Sequence, residues 1–522
     1  MTAIETEAPA AGGGTPVTLP FTGEEYLESL RDGREVWIYG ERVEDVTAHP
    51  AFRNSARSVA RLYDALHDPE QQAALTSPTD TGNGGFTHSF FRVPRCADDL
   101  RAARDAIVGW QRLCYGYMGR TPDYKAAFLG TLGANADFYA PYQDNARAWY
   151  ARAQERVLYM NHALVHPPID RSRPADEVAD VCVHVEEETD NGLVVSGAKV
   201  VATASALTHQ TFIAHAGLPL KDKRFAPIFV VDMNTPGVKL LARASYELVA
   251  AATGSPFDYP LSSRLDENDS ILIFDRALIP WENVFAYDVE QANQFIPRSG
   301  FIIRAMFQAM LRLGVKLDFI SGLLLKASQV TGNKDHTRVQ VAVGEILAWR
   351  NMIWGMTDGM IEGCEPWANG SVLPNRGYAQ AVQTLAPQIY GRVKEIIEHN
   401  FGSSLIYLNS NAADFKNPEM RRYLDRYLRG TGEYTALDRA KLMKLLWDAL
   451  GSEFGGRHEL YERNYSGNVE DTRRQVLFGA LSSGAAKQYI GLAEQCMAEY
   501  DLEGWTIPGF IDPDDISLWA KR

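Results

Sequence analysis

The chain has 522 residues, of which 46% are hydrophobic and 23% are charged, as in a soluble globular protein with ample core. Its formal net charge of −14 argues against nucleic acid or an anionic membrane as a partner, because no basic excess exists to replace counterions. No apolar run approaches the ~18 residues of a transmembrane helix, so no membrane span is predicted.

The first 20 residues are a low-complexity segment that includes Ala-Ala-Gly-Gly-Gly at 10–14, and we predict that this tail is disordered. It lacks the charged start and apolar run of a signal peptide, and its acidic residues fit poorly with a transit peptide. The cysteines have no zinc or redox spacing, which predicts reduced thiols in a cytoplasmic protein. They are Cys96, Cys114, Cys182, Cys364 and Cys496.

Residues 21–154 are predicted to form a mainly helical N-terminal domain. Order begins at Phe21, because Thr22 and Glu25 form a capping-box pattern just after it. A short hairpin is predicted over 35–43 with its turn at Gly40, and helical periodicity dominates from about 52 to 150.

Residues 155–290 have the character of a β domain. Valines alternate with other residues over 181–186, and Asp190-Asn191-Gly192 supplies a hairpin turn before the next apolar run. Further strand-like runs lie at 228–231 and 271–274.

Residues 291–522 are predicted to form a C-terminal helical bundle that ends in an extended tail. Long amphipathic stretches occupy 302–330, 337–362, 376–402, 434–453 and 470–498. The order of helices, β domain and helices is neither a doubly wound α/β pattern nor a repeat array.

Several common cofactor and nucleophile motifs are missing. No G-x-G-x-x-G follows a strand and no G-x-x-x-x-G-K-[ST] occurs, which disfavours a Rossmann nicotinamide site and a P-loop. The absence of G-x-S-x-G excludes an α/β-hydrolase elbow. What remains is a helix–β–helix flavoprotein architecture, with flavin between the β domain and the C-terminal bundle.

The segment Gly119–Tyr124, taken together with His162, is the strongest candidate for a site. Thr121 followed by Pro122 predicts a helix start with a hydroxyl N-cap and proline in the first turn. Arg120 then lies just outside the helix and Tyr124 on its first turn, so a cation, a phenol and the positive helix end converge. From these residues alone, a plain helix cap remains the alternative to an oxyanion site.

The residues 274–285 resemble the last β-domain strand of the acyl-CoA dehydrogenase fold. More narrowly, the chain resembles the oxygenase component of two-component, FADH2-dependent phenol hydroxylases. The type is 4-hydroxyphenylacetate 3-monooxygenase, with relatives that act on coumarate or carrier-bound tyrosine derivatives. The matching segments are 117–125, 161–163, 168–171, 196–203, 254–258 and 453–463. The resemblance implies an α+β, acyl-CoA dehydrogenase-like fold with an N-terminal helical domain, a central β-barrel-like domain and a C-terminal helical bundle.

The resemblance also implies the reaction and its partners. FAD, used as FADH2, and O2 would hydroxylate a para-substituted phenol ortho to its hydroxyl through a flavin C4a-hydroperoxide, giving a catechol. The substrate would be 4-hydroxyphenylacetate, 4-coumarate or a tyrosine derivative, either free or tethered to a carrier protein. Because no nicotinamide site is present, a separate NAD(P)H:flavin reductase is the expected partner. Family members are usually homotetramers, and we expect a dimer of dimers here.

The family's contacts to the substrate hydroxyl fall on Arg120, Tyr124 and His162. Forming phenolate at pH 7 from a phenol with a pKa of about 10 costs about 4 kcal/mol. A hydrogen bond to a charged group contributes roughly 1.5–3 kcal/mol, so two donors offset the cost and one does not. We expect Arg120 to be the fixed cation, Tyr124 to orient the substrate and His162 to accept its proton. A metal site on His162 and His166 is disfavoured because Pro167-Pro168 ends any helix there.

The resemblance places flavin contacts and a mobile substrate lid at further positions. Thr203 offers a hydroxyl, the paired glycines permit close backbone approach, and Arg457 offers a fork for the pyrophosphate. An ordinary helix C-cap is the alternative interpretation of the glycines. The implied flavin contacts are His162, Ala163, Leu164, Pro168, Ile169, Asp170, Arg171, Thr203, Gly455, Gly456, Arg457 and His458. The lid is expected over 208–223, with Thr208, His209, His215, Ala216 and Gly217.

Three other functions remain open from the sequence. The first is an acyl-CoA dehydrogenase-type oxidase or dehydratase, although the scattered cysteines offer no evident iron–sulfur motif. The second is a chlorophenol monooxygenase, which uses the same machinery on a ring with a leaving group. The third is a non-catalytic flavin-binding or scaffold protein.

Overall fold

The computed structural model describes residues 17–170, 172–173, 175–465, 467 and 469–510. Most of the predicted disordered tail, residues 1–16, therefore lies outside the described residues, and 17–20 have no regular secondary structure. None of the helices in the described part of the chain is both long and apolar enough to cross a bilayer.

The N-terminal part is mainly helical, as predicted. The capping box is present, because the Glu25 backbone N–H donates to Thr22 Oγ1 at 3.2 Å and the Thr22 N–H donates to Glu25 Oε2 at 2.8 Å. The helices are α1 (Gly23–Ser29), α2 (Arg53–Ala65), α3 (Gln72–Leu75), α4 (Ala97–Leu113), α5 (Pro122–Ala134) and α6 (Gln143–Arg156).

The central part is built from two sheets. A six-stranded sheet has the order β2-β1-β10-β11-β7-β6, and a four-stranded sheet has the order β12-β9-β8-β5. A short pair, β3 and β4, stands apart. The strands are β1 (Glu35–Ile38), β2 (Glu41–Val43), β3 (Thr76–Pro78), β4 (Phe86–His88), β5 (Met160–Ala163), β6 (His184–Thr189), β7 (Gly192–Thr203), β8 (Gln210–Ile213), β9 (Pro227–Asp232), β10 (Val238–Ala242), β11 (Asp269–Pro280) and β12 (Val284–Tyr287).

Both predicted hairpins are confirmed, but one of them joins an unexpected partner. The turn at 190–192 connects β6 to β7, with Thr189 opposite Gly192. The N-terminal hairpin turns at Tyr39 and Gly40, both with positive φ. Its strand β1 also pairs in parallel with β10, so this hairpin extends the central sheet. Local turn residues predict a hairpin, but they do not encode which distant strand edge it covers.

The C-terminal part is a helical bundle around one buried helix, α9. Arg304, Gln308, Arg312 and Lys316 recur every four residues on α9 and are almost wholly buried, so this row faces α5 and the later helix α14. The helices are α8 (Val289–Arg298), α9 (Phe301–Thr331), α10 (Thr337–Glu362), α11 (Arg376–Ile406), α12 (Pro418–Tyr427), α13 (Ala436–Leu450), α14 (Glu453–Asn464), α15 (Val469–Ser482) and α16 (Ala485–Met497), and one more helix, α7 (Tyr246–Thr253), lies in the central part between β10 and β11.

The predicted helical stretches of the bundle match α9, α10, α11 and α13 within a few residues. The predicted helix over 470–498 is two helices, because Gly484 adopts a positive φ of 83° between α15 and α16. The sequence prediction missed α14. Short strand pairs close two loops, namely β13 (Glu365–Pro366) with β14 (Val372–Leu373) and β15 (Tyr500–Asp501) with β16 (Gly504–Trp505).

Candidate active site

The N-terminus of α5 carries the first part of the site. Pro122 is the first helical residue, as predicted. The predicted hydroxyl cap is wrong, because Thr121 Oγ1 bonds to the carboxylate of Asp123 and accepts a hydrogen bond from Gln111 Nε2 at 2.9 Å. Asp123 is fully buried, and burial raises the pKa of its carboxyl to about 7. A buried carboxyl needs hydrogen-bond donors, so Asp123 accepts a hydrogen bond from the Thr121 hydroxyl. That hydroxyl is then not used to cap the helix.

Arg120 lies in a cage of aromatic rings. The ring centroids lie 4.2, 4.9 and 5.0 Å from its Cζ atom for Tyr124, Tyr465 and Tyr461 respectively. Its Nη1 donates to the Tyr461 hydroxyl at 2.6 Å. Glu267 accepts the Arg120 backbone N–H at 2.5 Å, but no carboxylate of the described residues forms an ion pair with the guanidinium. The site therefore keeps a buried positive charge without a paired anion.

His162 lies on β5, directly beside α5. Its ring centroid is 5.8 Å from that of Tyr124 and 4.9 Å from that of Phe128. Its Nδ1 contacts Lys125 Nζ. Burial, followed by the charges of Lys125 and Arg120, holds the pKa of His162 well below its usual range. His162 is therefore a neutral imidazole at physiological pH, able to accept a hydrogen bond or a proton.

Three polar groups around Arg120 and His162 are available to a ligand. Within the described part of the chain, Arg120 Nη2, the Tyr124 hydroxyl and His162 Nε2 have no hydrogen-bond partner. Arg120 Nη2 and the Tyr124 hydroxyl are donors, and His162 Nε2 can be the acceptor nitrogen of a neutral imidazole. The structure thus brings Arg120, Tyr124 and His162 together, and it leaves their polar atoms available to a ligand.

Thr203 and Arg457 share a half-buried carboxylate, that of Asp269 at the start of β11. Thr203 Oγ1 donates to Asp269 Oδ1 at 2.6 Å, and Arg457 donates to both oxygens from Nη2 at 2.8 Å and Nε at 3.1 Å. Burial would raise the pKa of Asp269, but Arg457 and then Arg243 hold it below its usual range. The Arg457 fork that we expected for a pyrophosphate is therefore occupied by a carboxylate in this structure.

Gly455 and Gly456 lie in the first turn of α14, so the C-cap interpretation is wrong. The Gly455 N–H donates to Ser452 Oγ at 3.0 Å as part of the N-cap. A Cβ on Gly455 would lie 2.6 Å from the backbone of Leu450, so this glycine permits close packing against α13. A Cβ on Gly456 would meet no atom within 4 Å. Gly456 therefore leaves open space at a helix N-terminus, which suits the phosphates of a dinucleotide.

The remaining predicted flavin residues differ in exposure. Ala163 is buried in β5, and Pro168, Ile169 and Asp170 are exposed in the loop after it. Arg171 lies outside the described residues. His458 is 2% exposed and packs against Tyr117 and Phe454, so its ring points into the core.

Models of one protein family cover nearly all of the chain. The model described as 4-hydroxyphenylacetate 3-hydroxylase N terminal matches residues 22–286, and that for the C terminal matches residues 292–494. The chain belongs to the 4-hydroxyphenylacetate 3-hydroxylase family. It is accordingly the oxygenase component of a flavin-dependent aromatic monooxygenase, and the predicted acyl-CoA dehydrogenase-like fold is confirmed.

Two curated relatives and one solved structure illustrate the range of the family. The oxygenase component of a 4-nitrophenol 2-monooxygenase from Rhodococcus sp. is 62% identical over 499 residues, which cover 96% of each chain. A Streptomyces globisporus monooxygenase of a carrier-bound (3S)-3-amino-3-(3-chloro-4-hydroxyphenyl)propanoyl group is 59% identical, covering 94% of this chain and 93% of its own. A crystal structure of the 4-hydroxyphenylacetate 3-monooxygenase oxygenase component with FAD and 4-hydroxyphenylacetate is 31% identical, with a TM-score of 0.83, and covers 91% of this chain and all of its own.

A cavity of about 820 Å³ lies beyond the end of β5. Pro168 and Asp170 from the expected flavin segment line it, together with His215, Ala216 and Gly217 from the expected lid. The cavity therefore joins two segments that lie about 50 positions apart in the sequence, and it is large enough for a cofactor or an extended ligand.

Lys199 holds the two walls of this cavity together. Its Nζ donates to the carbonyl oxygens of Leu164 at 2.9 Å and Ala214 at 3.1 Å. The Ala216 N–H adds a backbone bond to Leu164 at 3.2 Å. Burial lowers the pKa of Lys199 to about 7.

The predicted lid is wrong at its first two residues. His209 is buried, stacks on Phe21 with ring centroids 4.9 Å apart, and bonds to Ser29 Oγ at 2.9 Å. Thr208 is also fully buried. The following strand β8 is buried on both faces, so its sequence lacks the alternation that distinguishes a strand from a loop.

Sequence reasoning missed Lys125, Tyr461 and Tyr465, which contact His162 or Arg120 in this chain. Tyr461 and Tyr465 are four residues apart and therefore share one face of a helix. Lys125 precedes an apolar run, Ala126 to Leu129, on a helix that is buried throughout. A lysine directly beside such an apolar run is the sequence feature that could have identified Lys125.

Proposed function

We propose that this protein hydroxylates a para-substituted phenol ortho to its hydroxyl, using FADH2 and O2 in the cytoplasm. The observation that carries the proposal is the set of unused polar groups on Arg120, Tyr124 and His162. The five cysteines are all free thiols, in keeping with a reducing compartment.

The phenol hydroxyl would lie between His162 Nε2 and the Tyr124 hydroxyl, close to the Arg120 guanidinium. The neutral imidazole accepts the phenol's proton, and the two donors stabilise the phenolate. Each such bond contributes roughly 1.5–3 kcal/mol, against a cost of about 4 kcal/mol for ionising the phenol at pH 7. An ionised ring is electron-rich at the ortho carbon, which is what an electrophilic oxygen donor requires.

Residues that line the cavity and residues of α14, β7 and β11 have the chemistry to hold a flavin. Gly456 leaves the α14 N-terminus open for the pyrophosphate, and the loop 168–170 lines the cavity beside the lid residues 215–217. Thr203 and Arg457 are bonded to Asp269, and in the proposed complex Arg457 would exchange this carboxylate for a phosphate of the cofactor. The reduced flavin supplies, with O2, the electrophilic oxygen atom. The lid excludes water from that chemistry.

The protein is expected to depend on a separate NAD(P)H:flavin reductase. Purified protein with FAD and NADH should neither consume NADH nor form a catechol, and adding a reductase should start both. A panel of 4-nitrophenol, 4-hydroxyphenylacetate, 4-coumarate and a carrier-bound tyrosyl thioester identifies the substrate. NADH consumption by the protein alone would contradict the two-component arrangement.

We also infer a homotetramer, a dimer of dimers. The exposed faces of α15 and α16 carry large apolar side chains that one subunit leaves uncovered, which is unusual for a monomer. These side chains are Leu477, Phe478, Leu481, Tyr489, Ile490 and Leu492. Sedimentation analysis of wild type should give about four times the 58.0 kDa chain mass, and Phe478→Glu with Ile490→Glu should give a smaller species. A monomeric wild type would contradict the inference.

A further inference from the structure

Lys125 is a buried lysine without an ion-pair partner. Its side chain is 1% exposed, and among the described residues no carboxylate lies within ion-pair distance of its Nζ. The Nζ atom instead contacts His162 Nδ1 and lies 4.8 Å from the Tyr124 ring centroid. Burying a lysine in this way is unfavourable for folding, so its retention next to the proton-accepting imidazole calls for a role there.

We propose that Lys125 is a positioning residue that sets which nitrogen of His162 carries the proton and receives that proton when the phenol ionises. This inference rests on the proposed function, in which His162 Nε2 faces a phenol. The contact between Lys125 Nζ and His162 Nδ1 requires one nitrogen to donate and the other to accept.

The charge of Lys125 decides the direction of that contact. An ammonium can only donate to Nδ1, which places the imidazole proton on Nε2 and prevents Nε2 from acting as a base. A neutral amine accepts the Nδ1 proton as a hydrogen bond and leaves the Nε2 lone pair facing the open site. Only the second arrangement lets His162 accept a proton from a phenol.

The surroundings of Lys125 favour the neutral amine. Burial, and then the charge of Arg120, hold the pKa of Lys125 well below its usual range, although Glu267 acts in the opposite direction. The charged or titratable groups that face this pair are Arg120, Tyr124 and Glu267, besides His162 itself.

The proton transfer balances with these two residues alone. The phenol O–H bond breaks as a new N–H bond forms at His162 Nε2, and the Nδ1 proton moves to Lys125 Nζ. One proton has left the phenol and one has arrived on the amine, so the imidazole is again neutral. Its Nε2–H then donates to the phenolate oxygen, and the ammonium supports that orientation.

The test uses binding of 4-nitrophenol to the whole protein without flavin turnover, because the ionised form of this probe is coloured. Wild type should lower the apparent pKa of the bound probe relative to free probe. Lys125→Met should raise that value by about one unit relative to wild type, a tenfold change in the ionisation constant. Lys125→Gln can still accept from Nδ1 but cannot take a proton, so it should give an intermediate value.

A second readout is the pH profile of hydroxylation with a reductase present. Lys125→Met should lower kcat about 100-fold, within the range for loss of proton-transfer assistance. It should also move the acid limb of kcat/KM, because in wild type that limb includes protonation of the Lys125 amine, which the variant lacks. The surface variant Lys326→Met is the control, since its amine contacts the hydroxyl and the ring of Tyr434, a residue outside the proposed site.

The outcomes separate the two proposals. If wild type ionises the probe and folded Lys125→Met and Lys125→Gln do so equally well with unchanged pH profiles, the role of Lys125 is refuted and the phenol site stands. If wild type binds no phenol, the proposed function itself fails. If Lys125→Met does not fold, the Lys125→Gln values decide, because that variant keeps a polar group in the cavity.

Discussion

Replacing Arg120 by methionine is expected to lower kcat for phenol hydroxylation by about 10²–10³, as for the loss of one preorganised oxyanion donor. The guanidinium is buried in a cage of Tyr124, Tyr461 and Tyr465, and none of the carboxylates in the described part of the chain pairs with it. Its charge is therefore available to a phenolate in surroundings that screen it weakly. Single-turnover hydroxylation with chemically reduced flavin measures this effect without a contribution from the reductase.

The companion variant Arg120→Lys separates charge from geometry. Lysine keeps the positive charge but cannot bond to Tyr461 and to a substrate oxygen in the same plane, so we expect partial recovery, about tenfold below wild type. Arg147→Met is the matched control, because that side chain is half exposed and, of the residues that the structure describes, pairs with two surface aspartates alone. Hydroxylation within threefold of wild type in Arg120→Met would show that Arg120 is only a helix-end residue.

The parts of the site that the sequence predicted are those encoded locally. Pro122 fixes the helix start, so Arg120 and Tyr124 follow within one turn of it. The hairpin at 190–192 is likewise specified by its own turn residues. In each case the relevant interaction partners lie within about four positions, which is the range over which propensity and capping act.

The parts that were missed depend on distant segments. The Asp269 carboxylate joins Thr203 to Arg457, which is 254 positions away along the chain, and no local pattern contains that network. Thr121 shows the same limit at short range, since its hydroxyl would cap the helix if Asp123 were not buried. Tertiary burial changes which hydrogen bond is the more stable one.

A buried triad behind the site gives the largest expected effect on stability. Glu462 is 2% exposed and accepts hydrogen bonds from Arg312 at 2.5 and 2.6 Å and from Lys316 at 3.0 Å. The two cations lie on α9 and the carboxylate on α14, so the triad joins these helices. The preceding residue, Tyr461, is hydrogen-bonded to Arg120. The position of the Arg120 side chain therefore depends on this triad.

The variant Glu462→Gln is expected to lower the free energy of unfolding by about 3–5 kcal/mol, because it leaves two buried cations without an anion. Thermal unfolding followed by circular dichroism should show the loss at pH 7. Glu453→Gln is the matched control on the same helix, since this side chain is exposed in the first turn and its loss should cost below about 1 kcal/mol. Equal melting temperatures for Glu462→Gln and wild type would contradict the assigned role.

The stability difference should also depend on pH in a defined direction. Burial alone would raise the pKa of Glu462, but Arg312 and Lys316 hold it at about 2, below the ordinary value of 4.5. The native state therefore binds fewer protons than the unfolded state between these values, and the contribution of Glu462 is complete above pH 4.5. It diminishes as the pH falls towards 2, because a protonated glutamic acid resembles glutamine. Wild type and Glu462→Gln should thus converge in melting temperature with acidification, whereas a difference independent of pH would show that packing, not charge pairing, stabilises this helix contact.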